Sequence, residues 1–134
     1  LLPKGSLMVT TRATLGARII NAIPMATNQG FKSIIFRRPE DASYYYHAFD
    51  RIEPEVIRRA SGTTFLEISG TEFSAIQVPS PQALEKDLIA QMLDTADLRI
   101  AYETDQLRKL VSKKFGLMDD LLSGRVRVTP LLAQ

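Results

Sequence analysis

Residues 82–124 read QALEKDLIAQMLDTADLRIAYETDQLRKLVSKKFGLMDDLLSG, and the short tail RVRVTP follows directly. Alternate steps of four and three along it collect Ile89, Leu93, Ala96, Ile100, Glu103, Leu107, Leu110, Lys114, Leu117 and Leu121, eight of the ten apolar. A seam that repeats roughly every 3.5 residues over several heptads belongs to a helix lying along another helix, because a merely surface-docked helix follows 3.6 and drifts. Unbroken, it would extend on the order of 60 Å at about 1.5 Å per residue. Its ends carry signals: Ser80 as cap with Pro81 at the first helical position, Glu85 and Asp87 in the early turns, and Gly124 to close the last turn. The helix either covers its own domain, with a kink at Gly116, or is a strut whose partner helix lies elsewhere. The rest of the chain offers no second helix of comparable length, which favours the strut.

The 134 residues are 45% hydrophobic and 24% charged, the profile of a soluble globular domain, with no room for a second enzyme domain. No apolar run approaches the roughly 18 residues that a membrane span needs, and no charged-then-apolar leader suggests export. The absence of cysteine excludes disulfides and thiolate metal sites and fits a cytoplasmic location. The chain opens at Leu1 without an initiator methionine, so a fragment lacking the first strands of its domain is one expectation. Charge is unevenly spread. Residues 1–38 hold Lys4, Arg12, Arg18, Lys32, Arg37 and Arg38 and no carboxylate, the first acid being Glu40, whereas 82–124 carries eight acids and six bases. A cationic region beside a mixed-charge helix suggests an anionic partner at one end and protein at the other, although a merely solvated basic face has the same composition.

Before the helix, 7–11 (LMVTT), 15–20 (LGARII) and 31–36 (FKSIIF) read as short strands separated by Gly16, Pro24 and Gly30. Asp41 is a candidate cap for a helix placing Tyr45, Phe49 and Ile52 on one face, with Pro54 ending it or beginning a second turn to Ala60. Tyr44, Tyr45 and Tyr46 cannot all face one way, so at least one is expected exposed or at the rim. Ser61 and Gly62 turn the chain into a strand candidate at 63–68 (TTFLEI), and Phe73, Ile76 and Val78 lead through Pro79 into the helix.

Catalytic signatures are missing. The sequence has no Gly-rich phosphate loop with its lysine, no nucleophile elbow and no dinucleotide fingerprint. His47, the single histidine, stands in a predicted helix without cysteine to build a zinc site. The acid pairs Glu40–Asp41 and Asp119–Asp120 read as a helix cap and a solvated helix face. No catalytic residue, cofactor or metal is therefore expected.

The ending KKFGLMDDLLSGRVRV, preceded by IQVPSPQALEKDLIAQMLDTAD, resembles the conserved helix that closes the specificity subunits of Type I restriction-modification systems. Upstream, LPKGSLMVTTRATLG, TNQGF and ASGTTFLEIS are similar to segments of the target recognition domain that precedes it. Two departures stand out. Glu85 is followed by Lys86 where the family often has glutamine, a change expected on the helix surface. The usual subunit also has two recognition domains and two conserved helices, so this chain corresponds to part of one half, either a fragment or a half-size subunit.

The resemblance implies an α+β fold: a partial mixed-sheet target recognition domain over 1–79, a coiled-coil-forming spacer helix over 80–124 and a tail over 125–134. It implies a non-catalytic subunit that reads one half of a split site in double-stranded DNA and docks methyltransferase (modification) subunits and, through them, the restriction subunit. Ile89, Leu93, Ala96, Ile100, Leu107, Leu110, Leu117 and Leu121 would pair with the second half of the subunit or with a second copy of the chain. Lys4, Arg12, Arg18 and Lys32 are candidates for phosphates, and Thr11, Arg12, Thr14, Asn28 and Gln29 for base edges. Because TNQGF resembles a framework piece of the family, the turn role before Gly30 suits Asn28 better than base reading. Ser61, Thr63 and Thr64 form a further candidate contact. The alternatives are a helix-pairing fragment that has lost DNA binding, and the recognition portion of a fused methyltransferase chain.

Overall fold

The computed structural model describes residues 1–62 and 66–129. Contacts gather the chain into two compact units, Leu1–Asp94 and Thr95–Gln134.

In the first unit, strand β1 (Leu7–Thr10) is the centre of a three-stranded sheet, between β2 (Arg18–Ile20) and β3 (Phe31–Ile34). Leu7 stands opposite Ile20 and Ile34, and Met8 opposite Ile19 and Ser33. The α+β class holds, and both described pairings are antiparallel where the resemblance implies a mixed sheet. The reason is connection length: β1 and β2 are joined only by residues 11–17, whereas a parallel crossover takes about a dozen residues or more. Gly16 closes that loop, its N–H donating to the Thr10 carbonyl at 3.0 Å. Its φ of +89° favours glycine, and a Cβ there would meet Glu53 Cγ at 2.8 Å. Ahead of β1, buried Asn21 holds the approach: its Oδ1 accepts from Ser6 N at 2.7 Å, and its Nδ2 donates to the Pro3 and Ile23 carbonyls.

Helix α1 (Asp41–Arg59) crosses the sheet, and the core forms between them from Leu7, Val9, Phe49, Val56 and Ile68. Each such side chain contributes about 1.5–3 kcal/mol by leaving water. One expectation for α1 is corrected and one alternative decided. Glu40 takes the cap position without a side-chain bond, and Asp41 is the first helical residue, because its carboxylate is drawn instead to Arg38 and Lys86. Pro54 lies inside the helix and does not end it, since buried Phe49 before it and Val56 after it hold both halves in the core. Of the tyrosine triplet, Tyr45 and Tyr46 lie at the rim, as expected, and Tyr44 is inside. Tyr44 is buried with its hydroxyl donating to the Pro79 carbonyl, Tyr45 stacks on Phe36 with ring centroids 5.2 Å apart, and the Tyr46 ring lies under the Arg18 guanidinium.

The strand expected over 63–68 falls partly on 63–65, outside the described residues. Beyond them Glu67 makes isolated bridges to Ser61 and Arg12 in place of a strand, while Ile68 turns into the core. A short helix unforeseen in the sequence, α2 (Gly70–Ser74), follows. Ser69 Oγ caps it by accepting from Glu72 N at 3.1 Å.

Helix α3 (Ala83–Leu122) begins later than Ser80 and Pro81 suggest, because the Ser80 hydroxyl is shared with Tyr45 Oη at 2.8 Å. In the first unit its early turns are fastened to α1 by side chains. Lys86, expected on the helix surface, is instead only 8% exposed, and its ammonium donates to Asp41 Oδ2 at 2.5 Å. Arg38 spans Asp41 and Asp87, and Asp94 accepts from Ser43 Oγ at 2.8 Å and pairs with His47 Nε2 at 2.8 Å. Lys86, Ala90 and Asp94 thus form the fastened face at i, i+4 and i+8.

In the second unit α3 continues through Gly116 without the kink that the alternative, domain-covering reading carried. One exposed glycine costs a helix about 1 kcal/mol relative to alanine, too little to break one this long. Gly124, at φ +75°, ends it by donating to the Leu121 carbonyl at 3.3 Å, and Arg125 pairs with Asp119 and Asp120.

Candidate nucleic-acid interface

The β1–β2 loop (11–17) and the segment leading into β3 (26–30) meet at the C-terminal end of β1. They form an open concavity of about 550 Å³ lined by Thr10, Arg12, Ala13, Thr14, Asn28, Gln29, Gly30 and Phe31. Its walls are tied together. Thr11 N donates to the Gly30 carbonyl at 2.8 Å, Thr10 Oγ1 donates to the Thr14 carbonyl, and Asn28 Oδ1 accepts from Gly30 N at 2.9 Å. Asn28 therefore has the turn role through its Oδ1. Ala13 holds a φ of 64°, uncommon for a residue with a side chain, at the tip of the loop.

The predicted residues separate into groups. Arg12, Thr14, Asn28 and Gln29 come together in the concavity and are exposed. Ser61 joins their side through Glu67, whose backbone exchanges two 2.9 Å bonds with Ser61 and bridges Arg12 on its other side. Lys4 precedes β1 and lies at the opposite end of the sheet. Thr11 is buried with its hydroxyl on the Gly30 carbonyl. Arg18 is occupied: Nε donates to the Tyr46 carbonyl at 2.7 Å, Nη2 to Asp50 Oδ1 at 2.6 Å, and the guanidinium covers the Tyr46 and Phe49 rings. Lys32 is half-buried on β3, opposite Val9. Thr63 and Thr64 lie outside the described residues. Sequence reasoning missed Glu67, whose carboxylate stands 3.9 Å from Arg12 Nε with both side chains about half exposed. Only the fold brings that acid to the cationic stretch.

On α3 the seam splits at the boundary between the units. In the first, Ile89 is half-buried and Leu93 is 41% exposed. In the second, Ala96, Ile100, Leu107, Leu110, Leu117 and Leu121 are all exposed, and Leu110, Leu117 and Leu121 border an apolar hollow with Lys113, Lys114 and Met118. Among the described residues there is no group of three acids or histidines placed to hold a metal ion, and no helix is long and apolar enough to cross a membrane.

The S subunit of the M. genitalium Type I restriction-modification system has a similar fold. That crystal structure matches over 90% of this chain and 32% of its own, with a TM-score of 0.65 and 19% identity, a likeness of fold. In sequence, residues 1–112 match the family described as Type I restriction modification DNA specificity domain, and the chain belongs to it. A relative within reach is the Type I restriction enzyme MjaIX specificity subunit of Methanocaldococcus jannaschii, 34% identical over 97 residues, 71% of this chain. The chain spans 22% of that relative's length. Members of this family are recognition components and carry no catalytic step of their own.

Proposed function

We propose that the chain acts, without catalysis, as a DNA-reading portion of a Type I specificity subunit. In this role residues 1–79 read one half of a split duplex site, 80–124 act as the spacer helix and 125–134 as its tail. Arg12, Thr14, Asn28, Gln29 and Ser61 meet the DNA, while Thr11 and Arg18 shape the loops from behind. Lys4 and Lys32 contribute through the general field of the carboxylate-free segment. The seam of α3 pairs with a second spacer helix, supplied by the rest of a longer subunit or by a second copy. The modification subunits dock on that pair in the cytoplasm and bring the restriction subunit with them.

The observation that carries the DNA role is the concavity at the end of β1, where a guanidinium, a hydroxyl and two amides converge. Arginine suits guanine, and asparagine or glutamine suits adenine. The test is binding of the full chain to a random-sequence duplex across a salt series. The expected result is affinity falling linearly on log scales, by about 0.9 per phosphate engaged. Absence of duplex binding would overturn the DNA role and leave helix pairing alone, which the exposed apolar seam supports independently.

A further inference from the structure

We infer that Glu67, which neighbours the concavity through Arg12, is a specificity-determining residue that holds Arg12 for base edges and keeps it from phosphates; the inference rests on the DNA role proposed above. Its backbone is fixed on two sides, by the paired bonds to Ser61 and by the bridge to Arg12. The next residue anchors it, since Ile68 is fully buried and its N–H donates to the Thr11 carbonyl at 3.1 Å. Residues directly opposite on antiparallel backbone present their side chains to the same side. Ser61, Glu67 and Arg12 therefore stand in a row, with the carboxylate in the middle.

The separation of 3.9 Å between Glu67 Oε2 and Arg12 Nε makes a weak, solvated pair that adds little stability. Its effect is on choice of partner. A free arginine at this rim takes any phosphate, which adds affinity without sequence information. An adjacent carboxylate opposes an approaching phosphate and tolerates a guanine edge opposite its arginine. It also accepts from the exocyclic amine of cytosine, so an Arg–Glu pair suits a C·G step. Discrimination arises by penalising the wrong contact.

The experiment compares the full chain with Glu67→Gln, Arg12→Ala and the double variant. Glu67 is exposed and glutamine is nearly isosteric, so folding is retained. Each is titrated with a random-sequence duplex across a salt series and used to select from a randomised duplex pool. In Glu67→Gln the salt slope is expected to steepen by about one, because Arg12 gains a phosphate. The pool should become less restricted, and the double variant should lose the added slope. An unchanged slope and an unchanged selected pool would overturn the role of Glu67 alone. A steeper slope that persists in the double variant would overturn it too, as a general charge effect. A parent chain that binds no duplex would remove the DNA role itself.

Discussion

Lys86 shows how far one residue's setting can differ from its local sequence. It is a lysine in a helix start, yet it is buried against Asp41 forty-five positions earlier and lies 5.4 Å from the Tyr45 ring centroid. Lys86→Met keeps the stem and removes the ammonium, and is expected to cost about 1–3 kcal/mol, because Arg38 alone remains to pair the Asp41 carboxylate. Thermal unfolding followed by circular dichroism measures it. The same groups set a pH dependence. Burial pushes the Asp41 carboxyl up, but the bonds from Lys86 and Arg38 outweigh it and hold the group below its usual range. Asp94 behaves alike, with burial opposed by His47 and Ser43. Groups depressed on folding add stability above their unfolded pKa, about 3.9, and lose it as pH falls through the folded value. The unfolding midpoint should therefore drop on acidification below about pH 4, and drop less in Lys86→Met. For the DNA role, Arg12→Ala is expected to weaken binding to preferred duplexes by about 1–3 kcal/mol and relax sequence preference with the salt slope nearly unchanged, read by fluorescence anisotropy with labelled duplexes.

Among elements, α3 was the most legible, since a heptad seam needs only local spacing, and Gly124 marks its end. Its beginning was misplaced because Ser80 is taken by Tyr45, a contact between distant positions that no capping rule registers. Asp41 looks like a cap by local rules for the same reason, its carboxylate being held by Lys86. Within the concavity, Arg12, Thr14, Asn28 and Gln29 were recognisable by type, whereas the burial of Thr11, the engagement of Arg18 and the arrival of Glu67 depend on loop closure. Two changes test the seam of the helix. Leu107→Asp and Leu110→Asp place a carboxylate on the seam, where pairing would have to desolvate it. Both are expected to abolish self-association in sedimentation while leaving helicity nearly unchanged, since both positions are exposed in the single chain. Gly116→Ala should stabilise the helix by about 0.5–1 kcal/mol, seen as a higher midpoint in the 222 nm signal.

For the whole molecule, the seam predicts association. Sedimentation of the full chain across a concentration series is expected to show a mass rising from monomer towards dimer, and a fixed monomer would assign the partner helix to the rest of a longer subunit. The first unit should unfold as a separate body, with Phe49→Ala lowering its stability by about 3–5 kcal/mol. The position of β1 bears on biosynthesis as well. Synthesis runs from the N-terminus, so this central strand leaves the ribosome before every element that covers it. Leu7 and Val9 must wait for Phe49, Val56 and finally Ile68. A nascent chain released before Ile68 would present bare sheet to the cell, so premature termination in that window should feed proteolysis and chaperone binding, and would not yield a small working domain.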